Sequence, residues 1–155
     1  MLGKTHMIIG CGVGILISSG AGIAPAIAGG FIGALAGLLP DIDHPNSRIN
    51  RTFFGMIVGL PFRLAPHRTI THAIWIPLAL VAVALTYPHW ATITIAGAYV
   101  SHILADMITP RGVPLLYPVS RRAWGLGLVR TGGKLEQLLG LVMILALVIY
   151  WERVL

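Results

Sequence analysis

Charge is what this chain has least of. Only 10% of its 155 residues are Asp, Glu, Lys or Arg, 56% are hydrophobic, and the mean hydropathy is +0.84. A soluble domain of this size carries more charge over fewer uninterrupted apolar runs, so the composition points to a membrane protein. Carboxylates are scarcest, five against eleven Lys and Arg, which gives a formal net charge of +6. With a pI of about 10.3, such an excess would suggest nucleic acid in a soluble domain. Here the basic residues lie between the apolar runs, which reports topology and leaves no nucleic-acid footprint. Cysteine is nearly absent: Cys11 is single and lies inside an apolar run, so a disulfide scaffold is excluded and the compartment is left open. No His-Glu-xx-His occurs, which argues against a membrane metalloprotease, and no glycine motif after a strand supports a P-loop or dinucleotide site.

What is present is a set of short apolar segments. Residues 7–40 contain no charged side chain. As one helix they would run about 50 Å, against a hydrocarbon core of roughly 30 Å, so they must fold back. Ser18, Ser19, Gly20, Ala21, Gly22 and Pro25 supply the break, and helices are expected over 6–19 and 24–39. Gly29, Gly33 and Gly37 repeat at every fourth position and put a smooth face on the second helix, open to close helix approach or to a homo-oligomer. A polar connection over 40–72 carries Arg48, Arg51, Arg63 and Arg68, with an apolar patch over 53–62 that fits the interface. Helices over 73–86 and 91–109 follow, joined by the tight turn Tyr87-Pro88-His89-Trp90. A second basic connection holds Arg111, Arg121, Arg122, Arg130 and Lys134, and a last helix is expected over 135–151. The fold class is therefore all-α: one domain, 1–155, an integral membrane bundle of four to five short transmembrane helices, multi-pass in the cytoplasmic membrane. A cleaved leader ending at Ala26-Ile27-Ala28 is the competing reading of the start, opposed by the apolar stretch continuing past it.

Both basic connections and the N-terminus belong in the cytoplasm by the positive-inside rule, and the two tight turns outside. An odd fifth helix exports the C-terminus, against which Arg153 argues mildly. This topology sorts the polar residues. His6, Asp41, Asp43, His44, His67, His72, His102 and Asp106 all fall at the cytoplasmic face, whereas His89 belongs to the opposite turn. Imidazoles and carboxylates gathered in so apolar a chain are the donor set of a polyvalent cation. His102 and Asp106 are four apart on one helix face, a spacing that serves a shared cation or an ion pair. Asp41-Ile42-Asp43-His44 sets three ligand-type side chains in four residues, though Pro-Asp is also common turn chemistry. His67-Arg68-Thr69-Ile70-Thr71-His72 adds two imidazoles around a guanidinium.

These motifs carry a resemblance. Thr5-His6, Leu39-Pro40-Asp41-Ile42-Asp43-His44, the His67–His72 stretch and His102-xxx-Asp106-xx-Thr109-xx-Gly112 resemble the YdjM-like family of predicted membrane-bound metal-dependent hydrolases, over nearly the whole chain. The resemblance implies a bacterial or archaeal integral membrane protein with a hydrolase site whose substrate is poorly defined. More distantly, the ordered His and Asp are similar to the zinc-dependent phospholipase C and P1 nuclease group. The later His-xxx-Glu helix of that group has no counterpart, since neither Glu136 nor Glu152 follows a histidine by four.

The chemistry expected from these residues is a cluster of one to three divalent ions, zinc first, held by His67 or His72 with His102, Asp106 and one of Asp41 or Asp43. A cation so held acidifies water at neutral pH. Asp41 is favoured as general base, and Arg68, with Arg111, is placed to neutralise a phosphoryl oxygen. The expected substrate is a phosphoester, a phospholipid or other amphiphile with its head group at the cytoplasmic interface, and no nucleic-acid partner is expected. A metal transporter would place its ligands near the midplane along a path. A structural metal site without catalysis would close with four ligands.

Overall fold

The computed structural model describes residues 1–43 and 70–154. They form five α-helices: α1 (Gly3–Ser18), α2 (Ile23–Ala36), α3 (Trp75–Thr86), α4 (Trp90–Met107) and α5 (Lys134–Val154). Short 3-10 turns cover Ser19–Ala21 and Leu39–Asp43. There is no strand among the described residues, only one isolated antiparallel bridge between Val113 and Trp124. His44, His67, Arg68, Arg48, Arg51, Arg63 and the apolar patch over 53–62 lie outside the described residues.

Two helical hairpins organise the molecule. α1 and α2 run antiparallel and pack more extensively than any other pair. The reason is glycine on both sides: a Cβ on Gly10 or Gly33 would strike the backbone of the other, and likewise for Gly14 and Gly29. The smooth face of α2 is therefore filled by α1 of the same chain, and any oligomer must use another surface. α4 lies against α1, α2 and α3 and so occupies the middle. It starts where the sequence turns: His89 accepts from Ala91 N–H through Nδ1, and Thr92 Oγ1 accepts from His89 N–H, both at 3.3 Å. α5 packs along α1, with parallel direction fixed by Thr5 at one end and Tyr150, 2.7 Å from Ser19 Oγ, at the other.

Among the described residues, helix lengths support two membrane spans, and the expected four to five are not shown. α1, α3 and α4 have 16, 12 and 18 residues, which at 1.5 Å per residue gives about 24, 18 and 27 Å, short of a hydrocarbon core of roughly 30 Å. Two stretches are long and apolar enough to cross, Ile23–Asp43 with 21 residues and Lys134–Arg153 with 20. α3 also begins two residues later than expected. Pro77 has no N–H and is tolerated only in a first helical turn, and Ile74 N–H is already engaged by Leu115 C=O at 2.9 Å.

Because both hairpins turn at the same end, five element ends share the other: the start of α1, the 3-10 turn after α2, the turn before α3, the end of α4 and the start of α5. Buried polar side chains concentrate there, including His6, His72, His102, Asp106 and Glu136.

Candidate metal centre

Five of the eight sequence candidates meet at this end. His6 comes from the first turn of α1, Asp41 from the 3-10 turn, His72 from the turn before α3, and His102 and Asp106 from the last turns of α4. The side chains of His6, His72, His102 and Asp106 are fully buried, and that of Asp41 is 17% exposed.

The donor atoms fall into two overlapping groups, His6–Asp41–His102 and His72–His102–Asp106, each within 4.8 Å of one another. His72 Nε2 and His102 Nε2 are 3.3 Å apart. Each lies 3.8 Å from Asp41 Oδ1, and they are 3.7 and 3.9 Å from Asp106 Oδ2. His6 Nε2 is 3.2 Å from Asp106 Oδ1, and its ring stacks on that of His102 with centroids 3.6 Å apart. Donors at zinc distances of about 2.1 Å in a tetrahedron stand roughly 3.4 Å from one another. The observed spacings bracket that value.

Hydrogen bonds on the far side of the rings set which nitrogen carries the proton. His102 Nδ1 lies 2.7 Å from Gly37 C=O, which only accepts, so Nδ1 donates and Nε2 presents a lone pair. Thr71 Oγ1 donates to Asp43 Oδ2 at 3.0 Å and lies 3.1 Å from His72 Nδ1, so its oxygen accepts from that ring and the neutral form of His72 presents a lone pair at Nε2. Two lone pairs thus face each other beside two carboxylates. Backbone carbonyl and carboxylate supports of this kind are what orient histidine ligands. Neither nitrogen of buried His6 makes a hydrogen bond among the described residues, which leaves it available to a further donor contact. The α-amino group of Met1 pairs with Asp106 Oδ1.

Asp43, expected as a ligand, is not among the converging donors. It is buried one hydrogen bond behind His72, reached through Thr71. Among the described residues, Asp41 and not Asp43 lies within reach of the converging imidazoles. Arg111 is exposed at the edge. His89 caps α4 at the opposite end.

Sequence reasoning missed the supports. Glu136 is buried, and its Oε1 accepts from Leu2 N–H at 2.6 Å and Thr5 Oγ1 at 2.7 Å, while Oε2 accepts from Gly132 N–H at 2.6 Å. It clamps the first turn of α1, which carries His6. Its signal was faint: one of five carboxylates, at the head of an apolar helix, beside no histidine. Tyr99 donates to Thr71 C=O at 2.6 Å and holds the turn that presents His72. Thr109 Oγ1 donates to Asp106 C=O at 2.8 Å and closes the last turn of α4. Gly112, at φ +60°, passes so close to Trp124 C=O that a side chain would collide.

Comparison with known proteins agrees with the motifs. The family described as YdjM inner membrane protein matches residues 1–154. Inner membrane protein YdjM of Escherichia coli (strain K12) and of Shigella flexneri are each 42% identical over 88 residues, 52% of this chain and 44% of theirs. The chain thus spans less than half the length of those two relatives. The uncharacterized protein YvsG of Bacillus subtilis (strain 168) is 32% identical over 143 residues, 89% of this chain and 86% of its own. No solved structure matches. None of these matches shows the more distant similarity to the phospholipase C and P1 nuclease group. With residues 1–154 matched and the described motif side chains His6, Asp41, His72, His102 and Asp106 drawn to one end of the helices, the chain belongs to the YdjM inner membrane protein family.

Proposed function

We propose that this protein is a membrane-bound metal-dependent hydrolase of phosphoester amphiphiles, with its site at the cytoplasmic face of a bundle of four to five membrane-embedded helices. The observation that carries the reading is the pair of lone pairs at His72 Nε2 and His102 Nε2, 3.3 Å apart and flanked by two carboxylates. Lone pairs set face to face beside carboxylates repel one another, and a divalent cation relieves that repulsion. Imidazole and carboxylate donors suit zinc, and the two overlapping donor groups have room for more than one ion.

His72, His102, Asp106 and His6 would hold the metal, which when bound supplies Lewis acidity toward a phosphoryl oxygen and water. Among the described donors Asp41 has the solvent access, so it is placed to take a proton from an attacking water. Asp43 and Thr71 keep His72 in its Nδ1–H form, and Gly37 C=O does the same for His102. Arg68, within the same motif as His72, would neutralise charge on the phosphoryl group. Lys and Arg in the connections around the site support a cytoplasmic face.

The near-complete burial of four donors also fits a closed structural site, so the test must separate the two readings. Detergent-purified protein is analysed for metal beside His102→Ala and Asp106→Ala, at matched helicity by circular dichroism. Stoichiometric zinc in the parent and its loss in both variants is expected, and no metal in any sample after reconstitution overturns the metal centre. Asp41→Asn is then assayed on phosphoesters and phospholipids. Metal retained with turnover lost by 100-fold or more, about what general-base removal costs, supports catalysis. Turnover absent from the parent itself leaves a structural or metal-handling site.

A further inference from the structure

Between Asp106 and Glu136 the chain has five cations, Arg111, Arg121, Arg122, Arg130 and Lys134, and no carboxylate. All five are exposed. Large apolar side chains stand out among them: Val119 is 83% exposed, Leu126 69% and Leu128 67%. They are not on a loose loop. Leu126 N–H and Leu128 N–H bond to Met107 and Ile108 C=O at 2.8 and 2.9 Å, and Trp124 and Val113 exchange backbone bonds at 2.9 and 3.0 Å. Val129, next after Leu128, is buried against Met1 and Ala105. The backbone is thus fixed to the end of α4 with Leu126 and Leu128 held outward, while Arg122 covers the Trp124 ring at 5.0 Å.

The segment leads directly into Lys134–Arg153, one of the two stretches long and apolar enough to cross a membrane and only 11% buried within the protein. A segment joined to the start of a spanning helix lies at the level of the lipid head groups. Apolar side chains pointing outward at that depth enter the acyl boundary, and arginines beside them meet phosphates. With no carboxylate to offset five cations, the surface favours lipids of net negative charge over zwitterionic ones.

We propose that residues 111–134 form a collar that binds anionic phospholipid head groups next to the metal centre. It works through Arg121, Arg122 and Arg130 with Val119, Leu126 and Leu128 as the apolar anchors. The collar stands on membrane placement and charge and is independent of whether the centre hydrolyses anything.

The test uses full-length protein in mixed micelles of equal phosphatidylglycerol and phosphatidylcholine, with co-purifying lipid quantified by mass spectrometry after gel filtration. Phosphatidylglycerol should be retained over phosphatidylcholine by about tenfold at low salt, falling to about twofold or less in Arg121→Gln/Arg122→Gln/Arg130→Gln. The parent protein should also lose the preference at high salt. Equal retention of the two lipids by the parent overturns the collar, as does a preference that salt does not weaken. A preference undiminished in the triple variant assigns it to another basic segment and overturns the collar equally.

Discussion

The two ends of α1 are made of similar material and solve opposite problems. At the Ser18 end, hydroxyls of the turns find partners nearby: Ser18 Oγ donates to Gly14 C=O, Ser19 Oγ to Leu16 C=O at 3.1 Å, and Thr92 Oγ1 to Tyr87 C=O at 2.6 Å. No carboxylate or positive charge is involved, and the partners are mostly within five residues in sequence. At the His6 end, partners come from 65, 105, 131 and 134 residues away. Local satisfaction makes a turn, which any hairpin needs. Convergence from five elements onto a buried cluster serves no turn, and chains retain such costly groups where they bind something.

The strongest way to break this contrast is to push the hairpin apart. Gly33→Val forces a side chain into the Gly10 backbone, between the two ends, and both should fail together. We expect a loss of about 3 kcal/mol, read as a lowered midpoint on SDS titration, with metal binding lost in proportion to unfolding. Glu136→Gln acts on one end only. Its amide sets an N–H against donors that now face an oxygen, which should cost about 2 kcal/mol. Zinc should then leave at a lower chelator concentration than in the parent while the helicity of the undenatured protein is unchanged. A chelator titration that overlays the parent would disconnect the clamp from the centre. Ser19→Ala sits at the other end and removes the Tyr150 contact. It should cost about 0.5 to 1 kcal/mol and leave chelator sensitivity untouched, and a shift there would erase the distinction between the ends.

The hairpins were legible because turns are written locally: Ser-Gly-Ala-Gly in one, Pro-His in the other. So was the sorting of His6, His72, His102 and Asp106 to one end, since alternation of direction decides it. The extent of the spans was less legible, because the apolar runs look alike until Pro77 and the Ile74–Leu115 bond shorten α3. Within the centre, sequence could not rank Asp41 against Asp43. Their difference lies in Thr71, 28 residues from Asp43, which takes up one carboxylate and leaves the other facing the rings. Glu136 escaped for the same reason: its partners Leu2 and Thr5 are at the other end of the chain, and no spacing rule links them. The glycine face of α2 was readable, but its partner was not, because Gly10 and Gly14 blend into a glycine-rich helix.

The proton placement on His72 and His102 has a consequence for what can enter. With both Nδ1–H groups turned outward to Thr71 and Gly37, these rings offer nothing but electron pairs toward the centre. A free phosphate or carboxylate arriving there would meet those lone pairs and two aspartates, with the Met1 α-amino group already paired to Asp106. Were a cation held there first, it would offset those acceptors and let an anion approach, so the order of binding would run from cation to anion.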